Sequence, residues 1–411
     1  MKNSNTLFIS RFSHKNKNSR PDTYTIFDAY RYGLHENLPN LISLDYYDLY
    51  FENGKNDFEA TLEKIIKKNQ IKFFFISFGA EDFTIDLQFL YNLKLKYKLC
   101  IIQTTQDPET FFESRDRYYN QIADYILPFT VIPNNVIYKN YNLKAITLYS
   151  LYNKTMFTDL NLEKTIDVSF IGNVNKTNRH EYINYLKKNG INIQTYGVGS
   201  DNGFVNHKKM IKIINSSKIN LNFTDSAYSD TFDFNTNTNF TIGTHINARI
   251  QQAKGRLIEI YLTNSFCLSQ DGIGTRALFD DDRICFNSKE DLLKKIQYYL
   301  SHPQESLNIT KVLHNQALKF DAKDRFKKII PQLHYNSNRV EKLYIDKNFL
   351  KNYTSYHFLF FFNFLFKGKF SFLIQEIKIF SNYKLFDFKT IYYHLKMQSI
   401  YAYKRYKRIN K

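Results

Sequence analysis

The sequence has no tryptophan and only three cysteines, Cys100, Cys267 and Cys285. Each lies in or near an apolar, strand-like run and none shows metal-ligand spacing, so the chain reads as one with buried thiols in a reducing compartment. No apolar run reaches the ~18 residues that a membrane-crossing helix needs. The opening residues, Met1-Lys2-Asn3-Ser4-Asn5-Thr6, lead into a short strand without an apolar signal core, and a cytoplasmic protein is expected. Acids are also few, with 39 Asp and Glu against 57 Lys and Arg, a formal net charge of +18.

What is abundant is aromatic: 38 Phe and 32 Tyr, beside many Asn, Lys and Ile, a pattern that suggests A- and T-rich codons and explains part of the positive charge. The charge is unevenly spread. Fourteen Lys or Arg and four Asp or Glu fall between Glu341 and Lys411, which puts +10 into the last 71 residues. Such a balance speaks about partners and not about fold. With the charge gathered in the tail and no stacking motif or zinc spacing, nucleic acid is not the expected partner.

At 411 residues the chain should hold two domains and an appendage. Short β-branched and aromatic runs, Leu7 to Ser10, Ile71 to Phe78, Leu99 to Thr105 and Asp124 to Pro128, read as buried strands. Asp22 or Thr23 is a candidate cap for a helix from Tyr24 to Leu34. After a polar connection from Tyr149 to Thr165 the rhythm restarts. Strands are expected at Ile166–Ile171, Ile191–Tyr196, Ile219–Phe223, Phe266–Ser269 and Arg283–Phe286, with helices over Arg179–Asn189, His207–Ser217 and Glu290–Leu300, the last capped by Ser288. Further helices are expected from about Gln304 to Phe320 and from Lys323 to Ile330. The polar segment from Thr224 to Thr244 is too long for a tight connection. Two successive α/β units imply two Rossmann-like domains facing across a cleft, residues 1–150 and 166–330, followed by a basic, aromatic helical tail, 331–411.

Gln251 to Leu262 is expected to be a helix on which Arg256 and Glu259, three residues apart, share a face. Two readings compete for this face: a surface ion pair, or a site where Lys254 and Arg256 meet a diphosphate and Glu259 accepts hydrogen bonds from ribose hydroxyls. Gly255 costs about 1 kcal/mol inside a helix and removes a side chain where a ligand would approach.

Several stretches occur in a telling order: Asp-Val-Ser-Phe-Ile-Gly-Asn (167 to 173) with Arg179 after it, Ile-Gln-Thr-Tyr-Gly (193 to 197) and Ser-Lys-Ile-Asn-Leu-Asn (217 to 222). Lys-Gly-Arg-Leu-Ile-Glu-Ile (254 to 260), Phe-Cys-Leu-Ser (266 to 269) and the run from Glu290 to Leu300 before His302-Pro303 follow. Over about Ile166 to Ile330 this resembles the C-terminal domain of the CgeB-type, group 1-like glycosyltransferases of the GT-B fold. The resemblance implies a nucleotide-sugar donor, UDP- or GDP-linked, on the C-terminal domain, a glycan, lipid-linked or protein acceptor on the N-terminal one, and no essential metal. Gly172 and Asn173 would lie by the donor phosphates, Glu259 would hold the ribose, and Lys254 and Arg256 would offset charge on the leaving diphosphate. The sequence departs from the family at Thr263-Asn264-Ser265, where a glycine-containing turn is usual, at Phe320-Asp321-Ala322, and at Gln251, where retaining relatives often carry Glu.

An inverting transfer needs a base at a carboxyl edge of the N-terminal sheet. Asp107, Glu81, Asp82 and His14 occupy such edges, and each can equally be a turn residue or cap. Asp271 either contacts the donor sugar or forms an Asp-Gly turn. A non-catalytic scaffold or glycan-recognition protein of the same fold is the alternative, motivated by the altered turn at Thr263. In the tail, His357 to Phe366 is the most apolar decade; it either caps the N-terminal domain or lies at the interface of a membrane's inner face.

Overall fold

A computed structural model of the chain describes all residues except 2–3, 13–23, 80–81, 107–110, 130–137, 139–144, 149, 176–177, 228–249, 252–254, 339, 384–391 and 393–411. Five parallel strands form the first sheet: β1 (Thr6–Ser10), β2 (Leu41–Asp45), β3 (Phe73–Ser77), β4 (Cys100–Gln106) and β5 (Tyr125–Phe129), in the order β2-β1-β3-β4-β5. The central strands β1 and β3 are buried along their whole length, which is why they read as unbroken apolar runs and not as alternating ones. Between the strands run α1 (Ile26–His35), α2 (Tyr46–Lys68) and α3 (Leu87–Tyr97). Helix α1 starts later than expected. The Asp28 carboxylate accepts from the N–H and hydroxyl of Thr25 at 2.9 and 3.0 Å, fixing the first turn there, while Asp22 and Thr23 lie outside the described residues.

The second sheet repeats the plan with β6 (Ile166–Ile171), β7 (Ile193–Tyr196), β8 (Ser217–Asn222), β11 (Cys267–Gln270) and β12 (Cys285–Phe286), in the order β12-β11-β8-β6-β7. Its helices are α4 (Arg179–Lys188), α5 (His207–Ser216), α6 (Gly255–Leu262), α7 (Ile273–Leu278), α8 (Lys289–Ser301) and α9 (Pro303–Ala317). Ser288 caps α8 as expected, its hydroxyl accepting from Asp291 N–H at 3.0 Å. A short antiparallel pair, β9 (Asp225–Ala227) with β10 (Ile250–Gln251), projects beyond β8. Gln251 therefore belongs to a strand and not to the helix expected from this residue, which is described over Gly255–Leu262. In each sheet the chain lays its first three strands on both sides of the first, which leaves a crevice at the carboxyl ends where the order reverses.

The chain then returns to where it began. Helix α10 (Ala322–Ile329), expected to close the second unit, packs instead on the first, with Phe326 and Ile329 in one core with Phe8, Tyr30 and Phe73. It approaches α1 at Gly33, where a Cβ would meet the Phe326 ring at 2.6 Å and the Ala322 carbonyl oxygen at 2.7 Å. Two connections cross side by side between the units: Tyr152 N–H donates to Phe320 O at 3.0 Å, and Ala322 N–H to Tyr152 O at 2.7 Å.

Helices α11 (Lys347–Phe366) and α12 (Phe370–Asn382) complete the cover of the first sheet. Most of the apolar decade is core: Phe358, Phe360, Phe362 and Phe364 share a cluster with Leu7, Ile9 and Phe74. The histidine and the glutamate buried there are paired. His357 Nδ1 lies 2.9 Å from Glu376 Oε2, and the Tyr50 hydroxyl donates to Glu376 Oε1 at 2.5 Å, so the network ties both helices to α2 without an orphaned charge. No described helix is long and apolar enough to cross a membrane. All three cysteines are buried and unbridged, and burial pushes the thiols of Cys100 and Cys285 up to about 12.

Candidate active site

The crevice of the second sheet opens beside β6, whose neighbours are β7 and β8. Two glycines let the ends of β6 and β7 pass closely. Gly172 N–H donates to Tyr196 O at 2.8 Å, and Gly197, at φ +113°, would drive a Cβ into the Gly172 carbonyl. Arg179, the first residue of α4, ties the floor of the crevice together. Its Nη1 donates to Asn173 O at 3.1 Å and its Nη2 to Asp225 O at 3.3 Å, so it spans the turns that follow β6 and β8. The guanidinium lies beside the rings of Phe170 and Phe223, and burial lowers its pKa to about 10 against the opposing pull of Asp225.

A cavity of about 250 Å³ lies above this floor. Gly172, Asn173, Gly197 and Val198 form one wall from the strand ends, and Phe204, Val205, His207 and Met210 form another from the start of α5. The Asn206 side chain caps α5 by accepting from Lys209 N–H at 2.9 Å, which aligns the first turn. His207 Nε2 lies 2.9 Å from the Met156 carbonyl, an acceptor, so Nε2 carries the proton. Its Nδ1 is buried without a protein partner.

Arg256 and Glu259 of α6 form a third wall. They do share a face, with Arg256 Nη1 2.6 Å from Glu259 Oε2, and the guanidinium also donates to the Met210 sulfur. The Oε2 atom is buried and accepts no well-angled hydrogen bond, so its ion pair leaves acceptor capacity unused. Tyr24, from the first unit, closes the fourth side; its hydroxyl accepts from Asn153 N–H at 2.7 Å and its ring meets Phe157 edge-on. Burial above all, and then the nearby Glu259 carboxylate, raise the Tyr24 phenol above its ordinary range, so it stays a neutral hydroxyl.

Thus Gly172, Asn173, Arg256 and Glu259 converge on one cavity. Lys254, Asp107, His14 and Glu81 lie outside the described residues. Asp82 is fully buried and committed, accepting from the Tyr46 hydroxyl and from Thr84 N–H and Oγ at 3.0 and 2.6 Å, which makes it an anchor of the β3 edge. Asp271 is not among the cavity's lining residues: it accepts from Arg276 Nε at 2.7 Å and Nη2 at 2.9 Å and from Gly272 N–H at 2.8 Å. Gly255 gives no opening to a ligand, because the Tyr152 hydroxyl stands where its Cβ would be. Tyr24, Phe204 and His207 are lining residues that sequence reasoning did not single out.

Two solved structures share this architecture. Sucrose-phosphate synthase from Thermosynechococcus elongatus is 10% identical, with a TM-score of 0.51 over 80% of this chain and 88% of that one. HepE of Anabaena, solved in complex with UDP, is 10% identical, with a TM-score of 0.54 over 80% of this chain and all of the other. The chain has the GT-B fold. Its family-model match, described as glycosyl transferase-like, covers residues 179–331, and so takes in most of the second GT-B unit and the returning helix α10. A comparison with curated proteins finds no match. Within the GT-B frame the cavity sits at the strand ends of the second unit, on the side that faces Tyr24 of the first.

Proposed function

We propose that the protein is a glycosyltransferase that moves a sugar from a UDP- or GDP-sugar to a glycan, lipid-linked or protein acceptor. The second unit would hold the donor and the first the acceptor. The observation that carries this reading is the Arg256–Glu259 pair at 2.6 Å on the wall of the cavity, with Glu259 Oε2 buried and short of donors. A carboxylate in that state suits ribose hydroxyls, which donate; the guanidinium beside it suits the diphosphate, which accepts. Phe204, Val198 and Val205 offer the base an apolar surface, while the turn at Gly172-Asn173 and the first N–H groups of α5 offer the phosphates donors.

Transfer breaks the bond between the sugar and the diphosphate, so negative charge grows on the leaving oxygen. Arg256, the helix end and Lys254, which precedes α6 in sequence, would stabilise that charge without an essential metal. The acceptor hydroxyl must lose a proton. By sequence His14, Glu81 and Asp107 follow the carboxyl ends of β1, β3 and β4, and they are the proposed candidates for the base.

Calorimetric titration with UDP, GDP, CMP and CDP tests the reading. Saturable binding of one nucleotide, weakened about 10- to 100-fold in Glu259→Ala, is the expected result, since hydrogen bonds to a charged group are worth about 1.5–3 kcal/mol. Unchanged nucleotide affinity in a folded Glu259→Ala variant would remove Glu259 from the site.

A further inference from the structure

The hairpin of α11 and α12 shows two opposite faces. Inward, Phe358, Phe360, Phe364, Ile379 and Phe380 fill the core of the first unit. Outward, the side chains at its tip are apolar as well: Phe366 is 78% exposed, Phe370 65% and Ile374 54%, with Leu365 and Ile377 about as open as one another at 40% and 41%. Phe370, Ile374 and Ile377 follow at i, i+4 and i+7 and so share one stripe of α12. Phe366 and Phe370 flank the turn Lys367-Gly368-Lys369, where Gly368 takes φ +65°. A cluster of large exposed side chains on one hairpin marks an interaction site.

The charges around it favour one kind of partner. From Lys347 to Tyr383 the sequence has five lysines and a single acid, Glu376, which is fully buried in its network with His357 and Tyr50. Lys369 Nζ donates to Glu52 O at 2.8 Å and Lys367 lies 3.6 Å above the Phe51 ring, which fixes both ammonium groups beside the exposed phenylalanines. Residues 384–411 add eight Lys or Arg and one Asp. An apolar tip with Lys367 and Lys369 at its turn matches an anionic bilayer, whose acyl boundary takes the rings while its headgroups take the ammonium groups.

We propose that this hairpin docks the protein on an anionic membrane surface, with Phe366 and Phe370 inserted at the interface and Lys367, Lys369 and Lys378 at the headgroups. The contact is peripheral, because the opposite faces of both helices are core. It does not depend on the donor cavity.

Flotation with vesicles of phosphatidylcholine alone, or mixed with phosphatidylglycerol, tests it on the full chain. The wild type should float with the mixed vesicles, less with phosphatidylcholine alone, and less as salt is raised. The Phe366→Ser/Phe370→Ser variant should lose about tenfold or more in partitioning while keeping its melting temperature and nucleotide binding, since both side chains are already in water. Ile374→Ser/Ile377→Ser should show the same direction. Wild-type protein that stays with the soluble fraction would overturn the proposal. So would a Phe366→Ser/Phe370→Ser variant that floats undiminished, or light scattering that shows these residues joining two copies with no vesicle binding.

Discussion

The hydroxyl of Tyr152 stands in the space that a side chain at Gly255 would need. Tyr152 belongs to the connection between the two sheets and Gly255 opens the helix that carries Arg256 and Glu259, so the glycine is there for packing between the connection and the helix. Gly255→Ala should therefore destabilise the protein by about 1–3 kcal/mol through overpacking, although alanine is the better helix former. Tyr152→Phe in the same chain should return part of that loss, because it removes the clashing atom. Denaturant unfolding of both single variants and the double variant measures the coupling. Strictly additive effects would show that the two side chains do not compete for this space.

His207 offers a second test of the cavity. Its Nε2 proton is used by Met156, its ring packs on Phe157 and Tyr24, and its Nδ1 has no protein partner. If Nδ1 accepts from a bound donor molecule, His207→Phe should keep most of the ring packing and raise the nucleotide Kd about tenfold, the worth of one buried hydrogen bond. Calorimetry alongside a melting curve separates the two effects. An unchanged Kd would leave His207 as a packing residue of the α5 end.

Asp271 and Arg276 predict a pH dependence. Hydrogen bonds from Arg276 first, then its charge and the Gly272 N–H, outweigh burial and hold the Asp271 carboxyl below its usual range. A depressed folded-state pKa adds stability that is present above the unfolded value of about 3.9 and lost as pH falls through the folded one. Asp271→Asn should thus melt below the wild type near neutral pH, with the gap narrowing as pH falls below the unfolded carboxyl value of about 3.9. A gap that persists in acid would show that charge is not what the pair contributes. Nucleotide affinity measured on the same variant separates a structural Asp271 from one that reaches the donor sugar.

Much of the second unit could be read from its residues, because its signals are local. Ser288 caps its helix, Gly190 takes the left-handed turn that ends α4, and the strand Ile166–Ile171 lies where its apolar run put it. Long-range contacts were harder to read. Leu41–Asp45 is an edge strand of intermediate burial, so it carries no continuous apolar run. Gln251 lies in a helix-compatible stretch, yet its pairing with Asp225 overrides that preference. Glu259 was legible as half of an i, i+3 pair on a helix, but the wall opposite it comes from Tyr24, 235 positions earlier. A lone histidine such as His207 has no neighbour in sequence that marks it as facing a cavity. The aromatic decade escaped a clear reading because helical packing on α2 and insertion at an interface demand the same residues; the fold uses most of them for the first and leaves Phe366 out.

The return of α10 to α1 bears on how the chain is made. Residues emerge from the ribosome in order, and the second sheet, with its helices through Ala317, is complete before Phe326 can pack against Gly33. Until then, and until His357 and Glu376 arrive to pair with Tyr50, the first sheet has both of its faces incompletely covered. The half synthesised first is thus the half finished last, and it is during this interval that chaperones have the most to cover.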